Sequence, residues 1–304
     1  MFQEQQVIFY SCVSPLHMGA GTAVGAIDNP IQREVHTLHP MMAGSGLKGA
    51  ARHHFTRRWS DTSLINRLFG PDKDAADHAG AIAFGDAQMV AFPVRSLRNT
   101  FVYATCPTAL ARLKRMAGNA APWAVPSVKD DEARVAGTGA LSAGRLVLDA
   151  FDFKAEEDAK LQEVAAWLSK HAFPQGAAHD YFRTKIGADL VLLTDTAFSH
   201  FVRHATVVEA HVRINNNTGT ADNGGLFYTE NLPPESLLAG LVLASVERQS
   251  KKVKNAEDGQ LMTAKQVLAA VLNTEDGLCS GLLQVGGDAT TGRGLVTISA
   301  MGGK

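Results

Sequence analysis

The segment Thr206–Ile214 constrains the fold of this chain most strongly, because its apolar and polar residues alternate. This two-residue period is typical of a β-strand with one exposed face. Its apolar side consists of Val208, Ala210, Val212 and Ile214. A strong turn signal, NNNTGTADNGG, follows, and the run Leu226–Thr229 then suits a partner strand. The pattern predicts a long β-hairpin at about residues 206–230. Its aromatic residues, Phe227 and Tyr228, either stack on nucleic-acid bases or pack in a core.

The rest of the chain mixes strand and helix patterns without a regular βα alternation. Strands are expected at Val7–Val13, Ala81–Met89, Ala91–Ser96, Leu282–Val285 and Leu295–Ser299. Helices are expected at Leu47–Trp59, Lys160–Phe173, Pro233–Val246 and Thr263–Leu272. A proline at the start of the third of these helices suits a first helical turn. Residues 116–145 have a weak pattern and are expected to hold loops and insertions. This mixture favours an α+β fold over a doubly wound parallel sheet.

The charge balance of the chain excludes a globally basic protein. Its 304 residues carry 29 Lys and Arg against 30 Asp and Glu, for a formal net charge of −1. Any nucleic-acid site must therefore be a local patch. Three separated cysteines without a CxxC pair suit neither a disulfide framework nor a zinc knuckle. With no signal-peptide pattern and no run of 18 apolar residues, we expect a cytoplasmic protein without membrane contact.

A glycine-rich segment, Gly44-Ser45-Gly46-Leu47-Lys48-Gly49, leads into the first predicted helix. Glycines let backbone amides approach a ligand closely, and the first N–H groups of a helix attract anions. Lys48 and Arg52 lie one helical turn apart and add positive charge at this point. The segment is therefore a candidate phosphate-binding site.

A second glycine-rich loop, Gly286–Gly294, lies near the C-terminus. Gly287 and Gly292 have the spacing of a nucleotide-binding P-loop, but Arg293 replaces its lysine and Gly294 replaces its Ser/Thr. The loop also precedes a strand and not a helix, which argues against an NTPase. Two interpretations stay open: a backbone nest that holds a nucleic-acid phosphate with help from Arg293, or a tight structural loop.

Asp28 and His17 are the candidate catalytic side chains. Asp28, in the sequence AIDNP, is either a turn cap or a carboxylate that holds a divalent cation or takes a proton from a 2′-hydroxyl. His17 lies beside a glycine-containing loop and suits acid–base or phosphate contact, although a purely structural role is equally open. His36 and His39 are too closely spaced for two helical ligands, so a structural zinc is not expected.

Several motifs, taken together and in order, resemble one known family over nearly the whole chain. They are PLHMG (15–19), DNPIQRE (28–34) with HT (36–37), SGLKGA (45–50), FGDA (84–87), FPVRS (92–96), GLFYTENLPP (225–234) and the segment QVGG to GRG (284–294). This pattern resembles the backbone subunit of type III-B CRISPR–Cas effector complexes, a member of the repeat-associated mysterious protein (RAMP) superfamily. PIQRE and FPVRS are its most specific parts, whereas residues 116–200 carry little of it.

The resemblance implies an α+β fold with an RRM-like (ferredoxin-like) palm that forms one domain over residues 1–304. It also implies insertions at about 100–200 and a protruding β-hairpin thumb at about 206–230. Several copies would stack head to tail along one CRISPR guide RNA, beside other subunits of the complex. The thumb, with Phe227 or Tyr228 near its base, would displace a nucleotide of the guide–target duplex.

The resemblance further implies a metal-dependent endoribonuclease that cleaves complementary target RNA at regular intervals. Asp28 matches the catalytic loop aspartate and would hold the metal, expected to be Mg²⁺, and His17 matches a nearby histidine. The implied RNA-binding residues are Gln32, Arg33, Ser45, Lys48, Arg52, Arg95, Gly286, Gly287 and Arg293. Two alternatives stay open: a guide-binding scaffold without catalysis of its own, and a CRISPR RNA-processing endoribonuclease of the same superfamily.

Overall fold

The computed structural model describes residues 2–72, 78–248 and 261–302, which form a large mixed sheet with helices on both faces. The strands are β1 (Glu4–Cys12), β2 (Met41–Met42), β3 (Ile82–Phe84), β4 (Ala87–Arg95), β5 (Phe101–Thr105), β6 (Glu132–Val135), β7 (Arg145–Leu148), β8 (Phe151–Glu157), β9 (Leu190–Leu192), β10 (Val207–Ile214), β11 (Ala221–Asn231), β12 (Leu237–Ala244), β13 (Leu282–Gln284) and β14 (Leu295–Ala300). The helices are α1 (Gly44–Arg58), α2 (Thr62–Phe69), α3 (Pro107–Ala117), α4 (Ala159–His171), α5 (Asp180–Asp189), α6 (Asp195–His204) and α7 (Ala264–Leu272).

The sheet is built around β1. Within the described ranges, ten strands follow the order β13-β14-β1-β12-β4-β5-β9-β6-β8-β7, and two short strands complete the sheet, β2 beside β4 and β3 beside β12. β1 lies between β14 and β12 and is antiparallel to both. Its side chains alternate between two cores, with Ile8 and Tyr10 in one and Val7 and Phe9 in the other. A strand buried on both faces reads as a continuous apolar run, which is why the sequence revealed it.

The two cores lie on opposite faces of the sheet. Buried side chains of α1, α2, α6 and α7 belong to the first core. The second core is formed mainly by α3, α4 and α5, and Phe9 packs there edge-to-face against Trp167 with ring centroids 5.9 Å apart. No helix in the described part of the chain has the length and apolarity needed to cross a membrane.

The helix predicted at Pro233–Val246 is wrong, because the structure places the strand β12 there. Its sequence LLAGLVLA is largely buried, and it pairs antiparallel with β1 on one side and with β3 and β4 on the other. A short, continuous apolar run satisfies helical spacing and strand burial equally well, so periodicity alone does not separate them. The prolines lie in the turn before β12, where the Ser236 carbonyl accepts a hydrogen bond from the Cys12 N–H (3.0 Å).

The other sequence-predicted elements are confirmed with shifted boundaries. Helix α1 begins at Gly44, three residues before the predicted start, and α7 begins after a Thr263 capping box. The strand expected at Ala81–Met89 is divided, because β3 ends at Phe84 and β4 begins at Ala87, and β4 continues to Arg95, so the strand expected at Ala91–Ser96 is not a separate one. The residue Asp86 in this break accepts a hydrogen bond from the Gly44 N–H at 2.7 Å, so the break caps the first helix.

The predicted hairpin is confirmed as β10 and β11, which pair antiparallel and form a separate two-stranded sheet. The apolar side of the hairpin is its exposed side. Val208, Val212 and Leu226 expose 48%, 46% and 55% of their surfaces, whereas Glu209 and His211 on the opposite side are half-buried. A hairpin packed on a domain normally buries its apolar side, so the exposed patch marks a surface for contact with another molecule.

Candidate active site

The loop between β1 and β2 runs along the free edge of β11, opposite the edge that pairs with β10. Leu16 and Leu232 exchange two backbone hydrogen bonds of 2.9 Å. Further along, the Asn29 N–H donates to the Tyr228 carbonyl and the Glu230 N–H donates to the Asn29 carbonyl, both at 3.0 Å. The loop therefore acts as an irregular neighbouring strand and holds its side chains at the base of the hairpin.

Asp28 is attached to this edge by its side chain. Its Oδ2 accepts a hydrogen bond from the Tyr228 N–H at 2.7 Å, and its own carbonyl accepts one from the Ala23 N–H at 2.9 Å. Its second carboxylate oxygen, Oδ1, accepts no hydrogen bond from the described residues. The turn-cap interpretation therefore accounts for one oxygen, and the other is available to a substrate or a cation.

His17 is attached to the same edge. Its Nδ1 lies 2.7 Å from the Glu230 carbonyl oxygen. Because a carbonyl only accepts, we assign the proton to Nδ1, which leaves Nε2 to act on a substrate. The imidazole ring of His17 fits here because its neighbours Gly19 and Gly287 lack side chains. A Cβ on Gly19 would lie 2.8 Å from Nε2, and a Cβ on Gly287 would lie 3.3 Å from Cδ2.

The two predicted catalytic side chains are therefore brought together. Asp28 is attached at Tyr228 and His17 at Glu230, two positions apart on the same strand. At about 3.4 Å per residue, the two attachment points lie about 7 Å apart. The structure thus holds the side chains of Asp28 and His17 on the same edge of one strand.

Glu230 organises this region, and the sequence analysis did not assign it to the site. Its side chain is buried, and its Oε1 accepts hydrogen bonds from Arg33 (2.5 Å) and from the Thr206 hydroxyl (2.8 Å). Its Oε2 accepts one from the Ile31 N–H (3.1 Å). Glu230 therefore joins the root of the hairpin to the DNPIQRE segment. The signal in the sequence was a charged residue next to an apolar run, which does not distinguish a buried carboxylate from an exposed one.

Two arginines predicted to bind RNA have partners inside the molecule. Arg52 donates to the Gly70 carbonyl at 2.6 Å and thereby joins α1 to the end of α2. Arg33 pairs with Glu230 and also donates to the Val202 carbonyl at 2.9 Å. Each guanidinium is held by several acceptors and thereby stabilises the fold, and Arg33 and Arg52 stay predicted RNA contacts.

Two further predicted RNA contacts also connect parts of the site. Arg293 pairs with the Glu209 carboxylate at 2.7 Å and joins the C-terminal loop to β10. Gln32 donates to the Gly19 carbonyl at 3.0 Å and accepts from the Ala43 N–H at 3.1 Å, so it closes the loop that carries Asp28. Both side chains shape the surface that a ligand would meet.

The start of α1 is less open to an anion than the sequence suggested. The Gly44 N–H is already bound by the Asp86 carboxylate, and a negative charge at a helix N-terminus opposes a second one. Ser45 is exposed, whereas Lys48 is half-buried. Burial, followed by repulsion from the nearby Arg52, lowers the pKa of Lys48. A phosphate beside Lys48 would relieve this repulsion, so Ser45 and Lys48 stay predicted RNA contacts.

Arg95 lies far from the other predicted site residues. It ends β4 and pairs with Phe101, whereas Gln88 near the start of β4 pairs with Met41 beside the site loop. Seven residues of strand separate the two ends, which corresponds to roughly 24 Å. The structure thus places Arg95 at the end of β4 that is remote from the site loop, and Arg95 stays a predicted RNA contact.

The C-terminal glycine loop packs on the loop that carries His17. The Gly287 N–H donates to the His17 carbonyl and the Gly294 N–H donates to the Pro15 carbonyl, both at 2.8 Å. Gly286 has φ +77°, and a Cβ on it would lie only 2.2 Å from the His17 carbonyl oxygen. The structure therefore supports the interpretation of a tight structural loop, and it shows that this loop positions His17.

The site fits a divalent cation only if the substrate also ligates it. The described residues contain no group of three or more His, Cys, Asp or Glu side chains that could hold a metal ion. Mg²⁺, however, commonly binds through one or two carboxylates, several waters and a substrate phosphate. The free Oδ1 of Asp28 suits that role, and its oxygen chemistry suits Mg²⁺ better than a softer metal.

Comparisons with known proteins identify the family of this chain. The family model of the RAMP superfamily matches residues 9–297. The chain is 32% identical over 294 residues to the CRISPR system Cmr endoribonuclease Cmr4 of Pyrococcus furiosus, covering 94% of this chain and 92% of that protein. The crystal structure of oligomeric Cmr4 from Pyrococcus furiosus superposes with a TM-score of 0.72 at 25% identity, covering 98% of this chain and 97% of that one.

The same fold occurs in an assembled complex. A chain in the cryo-EM structure of type III-B Cmr-beta bound to cognate target RNA has a TM-score of 0.71 at 18% identity, with 98% of each chain covered. The present chain belongs to the RAMP superfamily, and within that superfamily it belongs to the Cmr4 branch.

Proposed function

We propose that this chain is the guide-RNA-binding backbone subunit of a type III-B CRISPR effector complex and that it cleaves target RNA at regular intervals. The observation that carries the proposal is the attachment of Asp28 and His17 to one edge of β11. The similarity to a protein named endoribonuclease and to an oligomeric Cmr4 supports it. Identical copies stacked head to tail along one guide would place identical sites at equal spacing. Other type III-B subunits would complete the assembly.

We assign the sheet to an RRM-like palm, the β10–β11 hairpin to a thumb, and the whole chain to one domain with insertions at about 100–200. The exposed apolar patch on the hairpin supports its role as a wedge. Tyr228 lies on this exposed side and is 37% exposed, whereas Phe227 lies on the other side and stacks on His211 at 5.2 Å. Tyr228 is therefore the better candidate for contact with a base, and Phe227 serves the hairpin itself.

The mechanism that this geometry supports is transfer within the target RNA strand. A nucleotide displaced by the wedge leaves A-form geometry, so its 2′-oxygen can attack the adjacent phosphorus while the 5′-oxygen leaves. His17 Nε2 and the free oxygen of Asp28 are the two groups placed to move the hydroxyl proton or to orient the phosphate. A bound Mg²⁺ would neutralise charge on that phosphate. Guide contacts are expected at phosphate and sugar groups, so any spacer sequence is accepted.

The assembled complex tests the function directly. With Mg²⁺ and a labelled complementary RNA, we expect evenly spaced fragments on a sequencing gel. With EDTA we expect intact RNA that is still bound, because base pairing with the guide does not need the free oxygen of Asp28. Cleavage that persists in EDTA would contradict the proposal that the reaction requires a divalent metal. RNA that stays uncut in every condition would indicate that the chain is a guide-binding scaffold without catalysis of its own. Cleavage of CRISPR repeat RNA by the chain alone would indicate a processing enzyme.

Replacing His17 by asparagine separates its chemistry from its structural role. The asparagine amide nitrogen can take the place of Nδ1 and keep the hydrogen bond to Glu230, but nothing replaces Nε2. We expect cleavage to slow about 10²-fold with unchanged target binding, since acid–base groups contribute at least that much. Single-turnover cleavage rates measure the effect. An unchanged rate in His17→Asn, with a reduced rate in His17→Ala, would assign His17 a structural role only.

A further inference from the structure

A second polar cleft, of about 510 Å³, lies between residues 36–39 and helix α6, with the start of α3 at its rim. Its walls carry four histidines, one arginine, four hydroxyl side chains and a single carboxylate. We call it the histidine cleft. Imidazole, guanidinium and hydroxyl groups together are the side chains that bind phosphate oxygens in RNA complexes.

The positive charge of the histidine cleft is concentrated on α6. His200, Arg203 and His204 lie within one turn of that helix, and the two imidazole rings are 4.8 Å apart. Burial, followed by the neighbouring cations His200, Arg203 and Arg33, lowers the pKa of His204. The one carboxylate, Asp195, already accepts a hydrogen bond from the Thr108 N–H at 3.0 Å. The cleft therefore holds one permanently charged group, Arg203, and an anion beside it would also offset the lowered pKa of His204.

The floor of the histidine cleft contains a polar atom without a partner. His39 is only 3% exposed, and its Nε2 lies 3.0 Å from the Ser199 hydroxyl. Its Nδ1 is buried and makes no hydrogen bond to any described residue. Nδ1 is closed to the open cleft, so His39 supports the floor of the cleft and does not itself contact a ligand there. A metal is not favoured, because the described residues provide no cluster of three ligands.

The histidine cleft and the candidate active site are connected through Arg33. The Arg33 guanidinium donates to the Val202 carbonyl in the last turn of α6, and it pairs with Glu230 of β11. The Glu230 carbonyl in turn holds His17. The single residue Arg33 therefore connects α6 to the edge of β11 on which Asp28 and His17 lie. A strand of RNA that passes this edge would continue towards the histidine cleft.

We propose that the histidine cleft binds a backbone phosphate of the RNA next to the nucleotide held at Asp28. This assignment rests on the proposed function, because it requires RNA at the edge of β11. The binding would be independent of sequence, since phosphate contacts position the strand without reading its bases. An acidic segment of a second copy is the competing occupant, and the test below distinguishes it from RNA.

The test measures binding of a labelled single-stranded RNA to the full chain by fluorescence anisotropy over a range of salt concentrations. We expect Arg203→Gln to weaken binding about fivefold to tenfold, the effect of one charge-assisted contact. The slope of log K against log salt should fall by about 0.7, the value for one phosphate on a single strand. The matched control is Lys170→Gln, which removes one exposed charge from the last turn of α4 on the opposite face of the sheet. It should bind like the wild type.

Acidity provides an independent readout. A bound phosphate stabilises the protonated forms of His200 and His204, so the complex takes up protons and wild-type binding should tighten from about pH 8 to about pH 6. Burial lowers the pKa of His39, so this ring is not expected to take up a proton over the same range. The double variant His200→Gln/His204→Gln should lose most of this dependence. The other charged groups around the cleft are Arg203, Arg33 and Asp195, together with Glu34 and Arg112 beside His36 and His39.

The outcomes separate this assignment from the proposed function. If the wild type binds RNA and Arg203→Gln binds equally well with the same salt slope, the histidine cleft does not hold a phosphate. If Arg203→Gln instead changes the oligomer size in light scattering while RNA affinity is unchanged, the cleft holds a second copy. If the wild type itself binds no RNA, the cleft assignment fails, whereas the proposed function is decided by cleavage in the assembled complex.

Discussion

Asp28→Asn will stop target-RNA cleavage, with a rate reduced about 10³-fold and target binding unchanged. The asparagine oxygen still accepts the hydrogen bond from the Tyr228 N–H, so the loop keeps its place on β11. What is lost is the negative charge of the free oxygen, the group proposed to hold Mg²⁺ or to accept the hydroxyl proton. Single-turnover cleavage of labelled target RNA and anisotropy of the bound target measure the two quantities separately.

Asp288→Asn is the matched control for this variant. Asp288 is also a loop carboxylate, and it lies in the C-terminal loop that packs on the His17 loop. Its φ is +58°, a left-handed conformation that asparagine adopts readily. We expect Asp288→Asn to cleave at the wild-type rate. If Asp28→Asn also cleaves at that rate, the catalytic group is elsewhere and the attachment of Asp28 to β11 is structural.

The sequence revealed those parts of the fold whose signals are local. The hairpin was recognisable because alternation and a turn cluster lie within one segment, and the structure pairs His211 with Phe227 inside the expected limits. Strand β12 was misread because a run such as LLAGLVLA has no period that excludes a helix. Only its pairing with β1, more than two hundred residues away in the chain, decides the conformation.

The candidate site shows the same division. Asp28 and His17 were identified from motifs, but their shared edge depends on hydrogen bonds to β11 across 200 and 213 residues. Arg33 was predicted to bind RNA because its motif, DNPIQRE, resembles that of the family, and its carboxylate partner, Glu230, is 197 residues away. An arginine facing a ligand and an arginine facing a distant carboxylate are identical in sequence, so only the tertiary structure separates them.

Gly286→Ala will slow target-RNA cleavage, although Gly286 has no side chain that could take part in the reaction. Gly286 has φ +77°, and an added Cβ would lie 2.2 Å from the His17 carbonyl oxygen, a backbone atom that does not rotate away. The His17 loop must therefore shift, and with it the imidazole ring beside Gly287. A misplacement of about 1 Å in an active site costs about a hundredfold in rate, so we expect a loss of that size with folding retained.

Gly292→Ala is the control that distinguishes displacement of the His17 loop from the strain of a left-handed alanine. Gly292 lies in the same loop with φ +78°, and a Cβ there meets no atom within 4 Å. Both variants bear the left-handed cost of about 1–2 kcal/mol, so urea unfolding should show that loss in each and a larger one in Gly286→Ala. Only Gly286→Ala should lose cleavage, because only there does the new methyl group meet the His17 loop. Equal cleavage rates in the two variants would show that the glycine loop does not set the position of His17.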